Sequence, residues 1–143
     1  MVLAEICRSF ARTSPAGYRT ELPGPVGELN LYELRPRGDI LCRAIGEDAL
    51  LLQIGAALAT GNDAVINGVE RPPAYNGEFA RKIRSYHKER DVELAAALVE
   101  DDEALVLTTV AEMAERRGAI VPVHVAPRRS APHSAPLDML VRE

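Results

Sequence analysis

The side chains able to do chemistry are few and scattered. His87, His124 and His133 share no ligand spacing, and Cys7 and Cys42 stand outside any CxxC pattern. No metal site is expected. Ser9, Ser14, Ser85, Ser130 and Ser134 lie in no GxSxG elbow, so nucleophilic catalysis has no local signature. A dinucleotide loop needs GxGxxG between a strand and its helix, where backbone amides approach a pyrophosphate. The turn after "DILCRAI" reads "GED", and its two carboxylates would repel phosphate. "GPVG" is followed by Glu28 and a strand, with no Lys, Ser or Thr at the P-loop positions. Catalytic, cofactor-binding and metal residues are therefore expected to be absent. The basic run Arg81, Lys82, Arg84, His87, Lys88 and Arg90 reads as the solvated face of an amphipathic helix, without exposed aromatics to stack bases.

The elements that would position any site alternate in type. "VLAEICRSFAR" places Leu3, Ile6 and Phe10 at helical spacing. "TSPAGYRTELPGPVGE" is expected to lack regular structure, because prolines remove donors and glycines invite turns. "LNLYEL" reads as a modest strand, "RPRGD" as a turn and "DILCRAI" as a buried strand. Asp48 is a candidate N-cap for "ALLLQIGAALATG", with Leu51, Ile54 and Leu58 as its stripe and Gly61 as its C-terminal stop. Gly55 costs that helix about 1 kcal/mol relative to Ala, which a close approach to the sheet would explain. "DAVIN" reads as a strand that ends at Asn67-Gly68. "NGEFARKIRSYHKER" reads as a helix burying Phe79, Ile83 and Tyr86, and "VELAAAL" as a strand. "DDEALVLTTVAEMAERRG" carries acid at its start and Arg116 and Arg117 at its end, with Glu112 and Arg116 spaced as an i, i+4 pair. "AIVPVHV" is a final strand, and "LDMLVRE" reads as a helix start. The order predicts an α/β fold: a three-layer, Rossmann-like parallel sheet with helices on both faces. Two parts are expected, an N-terminal helix and Pro/Gly-rich connector with an edge strand (1–36) and the Rossmann-like unit (37–143).

Composition narrows the class. A chain of 143 residues with 47% apolar residues folds as one domain around a core of Ala, Leu, Val and Ile. The net charge of −4 argues against a general nucleic-acid binder. No apolar run is long enough to span a membrane, and "MVLAEICRSFART" lacks the basic leader of a secretory signal. Two buried, reduced thiols fit a cytoplasmic protein.

Five pieces, "LPGPVGELNLYEL", "PRGDILC", "AALATGNDAV", "AERRGAIVPVHV" and "PLDMLVRE", resemble in order the C-terminal domain of the long bifunctional proline-utilization flavoenzymes. These join a proline dehydrogenase to a glutamate-semialdehyde dehydrogenase. The resemblance covers most of the chain and is weakest from Asn67 to Glu93. It implies a degenerate copy of the aldehyde-dehydrogenase nucleotide-binding domain, with Asn67 and Gly68 where the active enzymes have Lys-Pro. It implies no cofactor in this chain, since FAD and NAD belong to the upstream domains, which are the implied partners. It also implies a role as a lid over the cavity that passes the intermediate. The family continues past the equivalent of Arg142-Glu143 into a segment rich in Asn, Thr, Ala and Gly. The chain is thus expected to be a fragment, or a separately encoded version lacking that contact.

Pro23, Gly24, Pro25, Gly27, Glu28 and Asn30 are the candidate contact residues, as a stiff connector presented to a neighbouring surface. The alternative is that they only shape a local turn. A stand-alone nucleotide-binding protein and an oligomerisation module are the competing functions.

Overall fold

The computed structural model describes residues 3–67, 77–88, 92–126 and 136–143. Helix α1 (Leu3–Ala11) leads into a hairpin of β1 (Arg19–Leu22) and β2 (Asn30–Glu33). There follow β3 (Arg35–Pro36), β4 (Asp39–Arg43), α2 (Glu47–Ala59) and β5 (Asp63–Asn67). A 3-10 turn (Gly77–Arg81) precedes β6 (Ile83–Ser85). After it come β7 (Leu94–Glu100), α3 (Glu103–Ala114), β8 (Val123–Ala126), a 3-10 turn (Leu137–Leu140) and β9 (Val141–Arg142). The main sheet is parallel throughout, in the order β6-β5-β4-β7-β8. That is the expected Rossmann-like α/β arrangement, with α1 and α2 on one face and α3 on the other. Short β3 and β9 pair antiparallel beside it.

Ile40 and Cys42 point into the α1/α2 core, whereas Leu41 points to the α3 side, as the alternation of strand side chains requires. Both faces being covered, β4 is a continuous apolar run rather than an alternating one. Helix α2 is buried from Ala49 to Ala57 on every side, not along the single stripe of Leu51, Ile54 and Leu58, because α1 lies across its outer surface. A Cβ on Gly55 would collide with Cγ2 of Ile6 and lie 3.2 Å from its Cβ. The close approach expected at Gly55 is thus to α1, not to the sheet. Gly61 follows the helix with φ +80° as expected.

Asn62 ties the pieces together from a fully buried position. Its carbonyl accepts from Gly38 N at 2.9 Å, and its amide donates to Thr60 Oγ1 and to Leu140 O, each at 2.8 Å. The "TGND" run is therefore a structural hub that joins the end of α2, the entry to β4 and the C-terminal turn.

Several sequence expectations are corrected. Arg19–Leu22 is a strand inside the stretch expected to be irregular; it fits between Gly17 and Pro23, leaving the prolines in the hairpin tip. "RPRGD" is not only a turn, since Arg35 and Pro36 pair with β9. The helix expected over "NGEFARKIRSYHKER" is a 3-10 turn and strand β6. The backbone decides it: Ala64 N donates to Lys82 O at 2.8 Å and Tyr86 N to Ile66 O at 2.9 Å, which pairs the open side of β5. Phe79 and Ile83 then pack on the α1/α2 core and Tyr86 on the opposite one, so their helical spacing is coincidental. The basic residues lie on or beside this edge strand rather than around a helix, where Lys82 pairs with Asp63 at 3.0 Å and Arg84 with Asp39; Arg90 falls outside the described residues. "LDMLVRE" forms one 3-10 turn and β9. Helix α3 starts at its N-cap Asp102, whose carboxylate accepts from Leu105 N at 3.0 Å, and ends before Arg116 and Arg117.

The α1–α2 contact makes a direct prediction. Gly55→Ala should lower stability by about 1–3 kcal/mol through overpacking, despite the better helix propensity of Ala. Combining it with Ile6→Ala should cost less than the sum of the two single changes in urea unfolding.

Candidate functional site

In sheets of this topology, ligands bind outside the carboxyl ends of the strands where the strand order reverses, here between β4 and β7. The chain leaves β4 through Ala44, Ile45 and Gly46 and enters α2. The N-cap is Gly46, not Asp48, which lies exposed in the first turn. Gly46 offers no capping side chain, so two backbone amides at the positive helix end need an acceptor. Glu100, the last residue of β7, supplies it: Oε2 accepts from Ile45 N at 2.7 Å and from Gly46 N at 3.0 Å. An internal carboxylate thus sits where a dinucleotide fold would hold a phosphate. Glu100 is itself buried.

The α3 side of the same edge is filled by a second polar group. The buried guanidinium of Arg43 donates to Thr109 Oγ1 at 3.1 Å and to Glu112 Oε2 at 2.8 Å, and lies 5.7 Å from the Tyr86 ring centre. The Tyr86 hydroxyl donates to Glu112 Oε1 at 2.6 Å. Burial works against the charge of Glu112, but the bonds from Tyr86 and Arg43 outweigh it and hold the carboxyl below its ordinary value. Burial, then the bond to Glu112, pushes the Tyr86 hydroxyl up. The expected Glu112–Arg116 pair is replaced by this network: Arg116 donates instead to Val92 O and to the Tyr86 hydroxyl. On the α2 side, Gln53 donates to Arg43 O at 3.2 Å, and its buried Oε1 has no partner among the described residues.

The other chemistry-bearing residues stay apart. Cys42 is fully buried, and burial drives its thiol far above the ordinary value. Burial also raises Cys7. His124 is half-buried on β8, and burial, then the nearby Arg37 charge, lowers its pKa against the opposing effect of Asp138. His87 is exposed beyond β6 rather than on a helix, and His133 lies outside the described residues. Among the described residues no group of three His, Cys, Asp or Glu side chains is arranged to hold a metal. No described helix is long and apolar enough to cross a membrane.

The candidate contact residues converge at one place. Pro23, Gly24, Pro25, Gly27, Glu28 and Asn30 all lie in the tip and outgoing strand of the β1–β2 hairpin, where every residue from Glu21 to Leu31 is exposed. Local geometry accounts for part of their identity. Glu28 N donates to Pro25 O at 3.1 Å to close the turn, Gly27 takes φ +93°, and a Cβ on Gly24 would strike the Asn30 amide. Local geometry does not account for their apolar neighbours. Val26 is fully exposed at 108%, Leu29 is 66% exposed, and Leu22 and Leu31 are each 46% exposed. Leu29 and Leu31 belong to the alternation that marks "LNLYEL" as a strand, whereas Leu22 and Val26, set among Pro and Gly, carry no such signal. At its base the hairpin is held by Leu34 N to Tyr18 O at 2.9 Å and by an edge-to-face Tyr18–Tyr32 contact at 6.4 Å.

These features define a doubly wound α/β domain in which a side-chain carboxylate occupies the amides at the head of α2 and a hairpin exposes Leu22, Val26, Leu29 and Leu31. Comparison with known proteins shows that the chain is homologous to a segment of the bifunctional PutA proteins. It is 35% identical over 127 residues to the bifunctional protein PutA of Rhizobium meliloti, covering 85% of this chain and 10% of that protein. It is 35% identical over 132 residues to the bifunctional protein PutA of Salmonella typhimurium, with the same coverage. The chain therefore spans about a tenth of the length of these curated relatives. The crystal structure of a Bradyrhizobium japonicum Proline Utilization A (PutA) mutant superposes with a TM-score of 0.65 at 22% identity, over 87% of this chain and 15% of that one, and so shares the fold. No family model matches.

Two measurements follow from the closed edge. Glu100→Ala strips the acceptor from two part-buried amides and should cost about 1–2 kcal/mol in denaturant unfolding, while Asp101→Ala next to it should leave the midpoint unchanged. Glu112 has a folded pKa below the ordinary 4.5. Its stabilising contribution is complete above that value and is lost as pH falls through the folded one. Glu112→Gln should therefore cost about 3 kcal/mol at pH 7, leaving Arg43 buried without its partner. The gap from the parent protein should narrow on acidification below 4.5, read by thermal unfolding across pH.

Proposed function

We propose that this chain is a non-catalytic C-terminal domain of a bifunctional proline dehydrogenase and glutamate-semialdehyde dehydrogenase, acting in the catabolism of proline to glutamate. In this reading it docks on the catalytic domains, in cis or in trans, and serves as a lid over the cavity between the two active sites. Its scaffold derives from the aldehyde-dehydrogenase nucleotide-binding domain, and FAD and NAD bind to the upstream domains only. It works in the cytoplasm without nucleic acid, and self-association accompanies docking.

The observation that carries the reading is the Glu100 carboxylate on the Ile45 and Gly46 amides. A phosphate entering there would meet a buried negative charge and would have to displace two hydrogen bonds. The hairpin supplies the complementary half of the argument. A two-stranded ribbon exposed on both faces has too little core to be stable alone, and a neighbouring surface would order it. Its exposed Leu and Val side chains, held between stiff prolines, suit insertion into an apolar surface at low entropic cost.

The test uses a PutA protein that contains this domain. Replacing Val26 and Leu29 together by Ser should leave each half-reaction assayed alone within about twofold, while the coupled conversion of proline to glutamate develops a lag. Unchanged coupling would remove the docking role. Calorimetric titration of the isolated chain with NAD should be silent. Micromolar binding would instead support a stand-alone nucleotide-binding protein.

A further inference from the structure

Helix α3 fully buries only Thr109 and Met113. Much of its remaining apolar surface lies open: Leu107 is 63% exposed and Val110 47%, with Ala114 exposed one turn further on. Large aliphatic side chains grouped in this way mark a contact surface. The direction they face follows from Glu112. That side chain reaches Arg43 on β4 and Tyr86 just after β6, so it marks the side of α3 turned toward those strands. At about 100° per residue, Leu107, Val110 and Ala114 lie about 140–160° around the helix from it. They face the other way, toward the margin of the sheet at β8.

That margin is open along its backbone. Ala97 N donates to Pro122 O at 2.9 Å and Asp101 N to Ala126 O at 3.0 Å. Residues of a strand alternate in the side to which they bond, so Pro122, His124 and Ala126 serve β7, while Val123 and Val125 turn N–H and C=O outward. Among the described residues no strand pairs with them there. Val123 packs in the core under α3, and Val125, two residues on, shares that face and is 47% exposed. An apolar helix face and an unpaired strand thus adjoin on one side of the molecule.

The two surfaces are self-complementary. A second β8 laid antiparallel along the first, about 4.8 Å away, is related to it by a two-fold axis normal to the sheet. Such an axis keeps both α3 helices on the same face. Each α3 packs on β7 and β8, so the two helices come to about 10 Å from one another, the separation at which helices pack. The charges agree. In an antiparallel α3 pair centred on Val110, Glu103, seven residues before it, meets Arg117 of the second copy, seven residues after it. The contact occurs twice, and both side chains are exposed. We propose that two copies of this chain form a dimer through this margin, with their five-stranded sheets joined at β8 and their α3 helices packed across the axis. The inference specifies the self-association named in the proposed function, and it stands whether or not the hairpin docks.

The test is sedimentation velocity of the full chain over a wide concentration range. Monomer and dimer alone should exchange, with a Kd of about 10–100 µM, since one helix face and one short strand make a small interface. Val110→Glu changes an exposed position, sets like charges at the axis and should weaken the dimer at least about tenfold with an unchanged circular dichroism spectrum. Val125→Pro removes an N–H that faces the margin and should do the same. Glu103→Arg should weaken the dimer about fivefold, and adding Arg117→Glu should restore it. Val26→Ser with Leu29→Ser should leave it intact. A monomer at every concentration, species above the dimer, indifference to Val110→Glu or Val125→Pro, a charge swap that restores nothing, or loss of the dimer on changing the hairpin would each overturn the proposal. None of these outcomes bears on the coupled assay or the NAD titration.

Discussion

The Glu100 carboxylate rests on the amides of Ile45 and Gly46, and most of the architecture is arranged around that contact. It joins the end of β7 to the start of α2 across the point where strand order reverses. Helix α2 is buried from Ala49 to Ala57 but its first turn is exposed, and the Glu100 carboxylate rather than a capping side chain of its own is the acceptor for the part-buried amides before it. Supplying that acceptor as a fixed charge completes the helix end and removes the position where a phosphate would bind. In the proposed reading the same residue serves stability and takes the place a phosphate would hold. Asn62 plays the corresponding part at the other end of α2, with three hydrogen bonds to three separate segments.

The homology to PutA gives this arrangement a context. A domain that keeps a doubly wound sheet but blocks its ligand edge retains the shape of a nucleotide-binding unit and the surfaces that go with it. The buried network of Arg43, Glu112, Tyr86 and Thr109 adds rigidity on the α3 side, because it pins the segment after β6 to a helix on the far side of the sheet. By contrast the hairpin makes few contacts above its base. The molecule thus divides into a stiff body and a projecting arm.

Legibility from sequence followed the physical range of the signal. Strands β4, β5 and β7 were readable because burial on both faces makes them continuous apolar runs. Helix α3 was readable because its acidic start and Gly118 are local marks. The absence of a phosphate loop was legible in "GED". What replaced the phosphate was not, because Glu100 lies 54 positions from Gly46 and nothing in its neighbourhood announces a capping role. Strand β6 was misread because Phe79, Ile83 and Tyr86 mimic a helical stripe while packing on opposite faces. Strand β1 was hidden by the prolines around it. The Asp48 N-cap was misplaced by two residues, since side-chain preference favoured Asp over a glycine capped from a distance. The candidate contact residues fall in a hairpin that was not foreseen, and its exposed aliphatic residues stand beside its prolines.

The two borders of the main sheet differ in a way that bears on self-association. Strand β6 carries Arg84 and follows Lys82, which hold Asp39 and Asp63 respectively, and charge of that kind discourages another strand from adding there. Strand β8 borders the opposite side, and the run from Ala119 to Ala126 contains no Asp, Glu, Lys or Arg. Among the described residues, charge guards the β6 margin more than the β8 margin. A pairing of two copies through β8 would close as a two-fold pair with the charged margins facing outward, rather than extend as a fibre.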